Sequence, residues 1–439
     1  MSMRSTAAAC IALWVLAAAV AVAQPAEPGP LDLVTAMRMT LQMRPTVEAA
    51  RAGVTSARAA VARVRARRLP EAEAYWDWGT RQNLARPIDI GGGTVQSGGG
   101  RNDTRNAGVS VSLTLWDSTT STSIAQAEAS AEAAGYRVEE LHRTLLQSVA
   151  SLYLGALGQE QLAEVAGSAV MASLRHLDLV QARIDAGTAA AADRLPIEVE
   201  LAQARLQATQ AESALSQTLA DLRATIGLPS GPPLKLSETL TPVPEEKSLD
   251  ELLEQIPERP DVQQQEAQVQ AQWWAVKLAE QNASLSYSVT AQGDYGRHTG
   301  VQGETWRLGA GVTYPLYSRG ARADVTSARA SLTSVQAQLA ELELQARRQI
   351  EQAYLALTAA REQITAAEVA EQNARMNLEA AEARYAEGVA MIIEVTDAEQ
   401  SLRSAEAARV RAVYEYSLAH VQLLTAVGAD LLQSLGAQQ

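Results

Sequence analysis

The chain repeats itself at a constant offset. Shifting the sequence by 201 residues superposes its two halves without a gap from Gly108 to Gly428. The pairs include Gly108 with Gly309, Tyr153 with Tyr354, Arg183 with Arg384, Gly187 with Gly388 and Gly227 with Gly428. Alanine pairs carry no weight in so alanine-rich a chain, but glycine, tyrosine and arginine pairs in one register mark a duplicated unit. Upstream the offset becomes 215, pairing Arg44-Pro45 with Arg259-Pro260. The 14-residue difference falls where Gly91-Gly92-Gly93 and Gly98-Gly99-Gly100 stand, which reads as a longer exposed loop in the first copy. The expected layout is a first repeat over 24–227, a proline-rich linker over 228–248, a second repeat over 249–428 and a tail over 429–439.

Each copy carries the same alternation of periods. Apolar steps of three and four run through Ala127, Ala131, Ala134, Val138, Leu141, Leu145, Val149, Leu152 and Ala156. They recur at Ala328, Leu332, Val335, Leu339, Leu342, Ala346, Ile350, Ala353 and Leu357. Such spacing places small residues along one helix face, a coiled-coil-like seam that lets helices approach closely. With no proline between Ser121 and Ile184, one helix there reaches roughly 100 Å at about 1.5 Å per residue. The glycine-bearing stretches Ala182 to Pro196 and Ala383 to Asp397 then turn the chain back into Leu201 to Ile226 and Leu402 to Val427. Two long antiparallel helical hairpins are expected.

Four segments, near 72–82, 108–117, 284–293 and 305–316, alternate apolar and polar residues with period two, as strands do. Trp76, Trp78, Trp116, Tyr287, Tyr295, Trp306 and Tyr314 lie in or beside them. That pattern fits a small half-buried sheet packed on helices, and it fits the aromatic girdles of a membrane β-barrel. The length of about 9 to 11 residues is the span of a tilted transmembrane strand. Four strands cannot close, however. An open edge in hydrocarbon strands backbone donors and acceptors at several kcal/mol each, so the barrel reading requires other copies of the chain.

The N-terminus supplies an address. Arg4 precedes an apolar run from Ile11 to Val22, and Ala21-Val22-Ala23 before Gln24 fits the small-residue rule for cleavage, so residues 1–23 read as a signal peptide. Cys10 is the single cysteine; it precedes the apolar run, where lipid attachment to a processed leader does not occur, and its loss leaves no thiol chemistry. With 37 basic against 50 acidic side chains, nucleic-acid binding is set aside. His142, His176, His298 and His420 show no metal-ligand spacing, the glycine clusters lack the Lys-Ser/Thr of a phosphate loop, and no nucleophile or acid pair suggests an enzyme. No cofactor is expected. A periplasmic coiled-coil adaptor or scaffold is the alternative class, although two in-register hairpin copies are unusual for it.

Leu31-Asp32-Leu33 through Arg44-Pro45, Leu113-Thr114-Leu115-Trp116-Asp117, Tyr314-Pro315-Leu316-Tyr317, Arg259-Pro260-Asp261 and Arg384-Tyr385-Ala386-Glu387-Gly388 follow one another in an order that resembles the TolC-like outer-membrane efflux protein family. The resemblance covers essentially the whole mature chain. It implies a mainly α fold with a transmembrane β-barrel portion, assembled as a homotrimer with a twelve-stranded barrel and a periplasmic α-barrel. It implies a duct of tripartite efflux or type I secretion in contact with outer-membrane lipid. The partners implied are a periplasmic adaptor and, through it, an inner-membrane pump of RND or ABC type. By the same resemblance Asp193, Tyr385, Glu394 and Asp397 form a periplasmic gate, and Gly187, Gly388, Arg183 and Arg384 mark the tips where an adaptor docks. Rings of Glu394 and Asp397 would repel internally, by about 3 kcal/mol for two charges ~6 Å apart at an effective dielectric near 20, and so attract cations. Ala390 stands where the family often has a tip arginine, which weakens the case for a salt-bridged lock.

Overall fold

Two helices of similar length dominate the computed structural model, α3 (Thr120–Asp185) with 66 residues and α7 (Arg319–Ala386) with 68. The structure describes residues 30–83, 86–89, 94–97, 100–237, 247–298 and 301–436. The expected signal peptide, residues 91–93 and 98–99 of the glycine clusters, residues 238–246 of the linker and residues 437–439 of the tail lie outside the described residues.

In chain order, α1 (Leu33–Met43) and α2 (Pro45–Ala66) lead into β1 (Glu71–Asn83), the short pair β2 (Arg86–Asp89) and β3 (Thr94–Ser97), and the long β4 (Gly100–Asp117). After α3 the chain turns into α4 (Arg194–Ile226). The second half runs α5 (Leu249–Leu253), α6 (Pro260–Asn282), β5 (Ser286–His298), β6 (Val301–Thr313), α7, α8 (Ile392–Val427) and α9 (Leu431–Gly436). Thus α3 with α4 and α7 with α8 form the two long hairpins. Among the described residues no helix is long and apolar enough to cross a membrane, which does not bear on a β-barrel.

The hairpins pack along small and branched residues. Ala346, Ile350, Ala353 and Leu357 of the expected seam are buried in α7, against Ala412, Val413 and Tyr416 of α8. In α3, Val149 and Ala156 of the expected seam are buried, and the buried stripe takes in Leu146, Ala150, Tyr153 and Leu157 as well. The reason is that α3 is packed on several sides, by α1, α2, α4, α6 and α8, so its buried surface is wider than one seam. Gly158 illustrates the close approach: a Cβ there would stand 3.4 Å from the Tyr414 side chain of α8.

Both halves use the arginine of their Arg-Pro pair in the same way. The proline opens a helix at its first position, where no amide donor is needed, and the arginine reaches the end of the return helix. Arg44 Nη1 donates to the Ala224 carbonyl at 3.2 Å, and Arg259 Nη1 to the Ala426 carbonyl at 2.7 Å. These carbonyls would otherwise be orphans of the helix C-terminus. Arg259 is 1% exposed, and Asp261 and Gln349 take its remaining donors.

The strands form a four-stranded antiparallel sheet in the order β1-β4-β5-β6, with β2 and β3 as a separate two-stranded ladder. The expected loop in the first copy is therefore partly strand: β4 begins at Gly100, and Asn83 pairs with Gly100 at the far end of the ladder. Arg101 to Asn106 are polar on both faces, so period-two alternation could not flag them.

Candidate functional site

Pairing register sorts the sheet into two faces. One cross-strand row joins Ala72, Val111, Gly293 and Trp306; another joins Ala74, Val109 and Tyr295 and ends in Glu304 on β6. Leu113, Ala291 and Leu308 continue that face. The opposite face carries Glu73, Ser110, Asp294 and Thr305 in one row and Glu71, Ser112, Gln292 and Arg307 in the next. On it the Tyr75 hydroxyl lies over Gly108, and it donates to the Asp294 carboxylate at 2.9 Å. The apolar face is uncovered in the single chain: Trp76 is 78% exposed, Trp306 83% and Leu308 64%. A continuous uncovered apolar face of this size marks a surface that meets lipid or another chain.

At the other end of the molecule the two tips are built alike. Gly187 and Gly388 have φ of +74° and +76°, and each closes a helix with paired hydrogen bonds. Thr188 N donates to Arg183 O at 2.9 Å and Gly187 N to Ile184 O at 2.9 Å; Val389 N donates to Arg384 O and Gly388 N to Tyr385 O, both at 3.0 Å. This double bond set with a left-handed residue is the Schellman arrangement.

The expected gate residues are distributed between these tips. Asp193 and Glu394 are equivalents at the 201 offset, and each accepts the backbone amide three residues earlier. Ala190 N reaches Asp193 Oδ2 at 3.1 Å and Met391 N reaches Glu394 Oε1 at 3.4 Å. Glu394 Oε2 also stands 3.6 Å from Arg384 Nη1, while Asp397 is exposed one turn on. An ion pair at the second tip thus exists despite Ala390, with Arg384 as its cation. The Arg183 guanidinium lies over the Tyr385 ring at 4.2 Å, joining the first tip to the second.

Roughly two to three turns behind the tips is a polar cluster that sequence reasoning missed. His176 of α3, Glu200 of α4, Glu382 of α7, and Glu399 and Arg403 of α8 meet there. His176 Nε2 is 3.2 Å from Glu399 Oε1. Arg403 donates to Glu200 Oε1 at 3.0 Å and to Glu399 Oε2 at 3.4 Å, and Ser173 Oγ donates to Glu200 Oε1 at 3.1 Å. Burial and the adjoining Glu200 carboxylate push the Glu399 carboxyl up to about 7, and burial pushes His176 down. The members come from four helices, so no local spacing announces them.

A strip of two-faced sheet joined to a stem of paired long helices defines the fold class of the chain. The chain matches the outer membrane efflux protein family over residues 36–228 and 252–429, and it belongs to that family. Its fold is similar to CusC, at TM-score 0.77 and 17% identity over 91% of this chain and 92% of that one. It is also similar to VceC of Vibrio cholerae, at 0.74 and 18% over 90% and 96%. The Neisseria gonorrhoeae MtrE outer membrane channel in its open state gives 0.76 and 18% over 90% and 89%. A search of proteins of curated function finds no match.

Proposed function

We propose that this chain is the exit duct of a tripartite efflux pump or type I secretion system. In this reading residues 1–23 are removed, and the repeats 24–227 and 249–428 each contribute two strands and one hairpin. Three chains close a twelve-stranded barrel in the outer membrane above a periplasmic α-barrel. The observation that carries the reading is the four-stranded sheet, apolar and uncovered on one face, polar on the other, with β1 and β6 as its edges. Such a sheet is stable in hydrocarbon only when other copies pair its edges. Asp193, Tyr385, Glu394 and Asp397 are proposed to narrow the periplasmic mouth. Gly187, Gly388, Arg183 and Arg384 are proposed to present the tips to an adaptor that bridges to an inner-membrane pump of RND or ABC type.

Membrane fractionation followed by planar-bilayer recording tests this. The expected result is a heat-sensitive trimer in the outer-membrane fraction that conducts ions. A soluble periplasmic monomer without conductance rejects the duct and favours an envelope scaffold.

A further inference from the structure

We propose that His176, Glu382 and Glu399 form a binding site for one divalent transition-metal ion, of the kind zinc represents, between the two hairpins just behind their tips. One ligand atom from each residue lies within 4.8 Å of the other two. The 3.2 Å between His176 Nε2 and Glu399 Oε1 is close to a tetrahedral edge of about 3.3 Å for bonds of ~2.0–2.1 Å. A simple hydrogen bond would have the same length, so the distance alone does not decide.

The second observation is what the cluster leaves unsatisfied. Glu200 Oε2 is buried and has no hydrogen-bond partner, whereas buried polar atoms are almost always paired. Glu200 is 9% exposed; Ser173 and Arg403 occupy its Oε1, and its carboxylate lies against Glu399. Arg403 thus holds the Glu399 carboxylate from behind through Oε2, as outer-shell groups orient metal ligands, and leaves its Oε1 on the His176 side. When all three are ionised, Glu200, Glu382 and Glu399 against Arg403 leave two negative charges, the complement of a divalent cation; Arg175 nearby is exposed and screened by water. A neutral imidazole beside carboxylates suits zinc, while magnesium and calcium demand all-oxygen shells of six or more. Exposed Glu382 provides the way in. A bound ion would tie α3 of the first hairpin to α7 and α8 of the second.

The test uses the full-length protein, stripped with EDTA and carrying Glu394→Gln and Asp397→Asn so that the tip carboxylates contribute no metal. Zinc is titrated calorimetrically and counted by mass spectrometry. The expected result is one zinc per chain, undisturbed by excess magnesium or calcium. Binding should weaken more than about 100-fold in His176→Ala and in Glu382→Gln, since losing a ligand exceeds the loss of an outer-shell group. It should be unchanged in His142→Ala. Glu382 is exposed, so its variant folds even if the His176 variant does not. No zinc above background, or equal binding in Glu382→Gln, overturns the site and leaves a proton shared by Glu200 and Glu399 as what fills the cluster. Neither outcome bears on whether the chain is a channel.

Discussion

Arg183 grips Tyr385 twice: its guanidinium lies over the ring at 4.2 Å, and its terminal nitrogens approach the Tyr385 carbonyl at 3.4 and 3.5 Å. This contact crosses from one hairpin tip to the other. An exposed cation–π pair is worth about 0.5–1 kcal/mol. Arg183→Ala should therefore speed hydrogen exchange of the Thr188 and Val389 amides by up to about fivefold, with Arg183→Lys intermediate. Identical exchange in all three proteins would mean the tips are independent.

Gly388 needs its left-handed backbone and nothing else, because no atom lies within 4 Å of where a Cβ would stand. Replacing it by alanine should cost about 1–2 kcal/mol of backbone strain, and Gly388→Asn less. Protease nicking confined to residues 385–391 is the measurement. Equal resistance of the alanine and wild-type proteins would show that the turn relaxes freely.

Asp261 gives the fold an acid limit. Burial raises its pKa, but hydrogen bonds from Arg259 and the charges of Arg259 and Arg143 outweigh this and hold it below the usual carboxylate value of 3.8. A carboxylate depressed in the folded state contributes its stability above the unfolded pKa, and that contribution is lost as pH falls through the folded pKa. Asp261→Ala should cost about 3 kcal/mol at pH 7, because it leaves the Arg259 charge buried and short of a partner. The difference from wild type should shrink below about pH 4. Thermal melts from pH 7 to pH 3 check both parts, and a gap independent of pH refutes the assignment.

Glu394 has two occupations, a local one at the Met391 amide and an ionic one with Arg384. Under the proposed gate, Glu394→Ala and Asp397→Ala should raise conductance and reduce cation selectivity and divalent block in planar bilayers. Channels indistinguishable from wild type in all three properties would remove these acids from the mouth.

The order of strands and long helices was legible because it rests on periodicity, and Ala346, Ile350, Ala353 and Leu357 are buried where that period put them. Legibility failed where contacts are distant in the chain. Arg44 and Arg259 were visible as members of Arg-Pro pairs, yet their partners are carbonyls 180 and 167 residues away. The cluster around Glu399 has the same cause: Arg403 and Glu200 are 203 residues apart, so nothing in the local pattern separates His176 from an ordinary seam histidine. The duplication also misleads in places. Tyr153 is wholly buried and donates to Leu31 O at 2.8 Å, whereas its repeat partner Tyr354 is half-buried.

The sheet that ends in β1 on one side and β6 on the other has a genetic corollary. In the proposed trimer, where three chains complete one another, a variant that folds but presents a faulty edge does not merely lose its own activity. Expressed beside an equal amount of normal protein, it leaves only about one assembly in eight free of a damaged seam under random mixing of a three-fold oligomer. Edge substitutions in β1 or β6 should therefore behave as dominant alleles, while substitutions that prevent the chain from folding at all should be recessive.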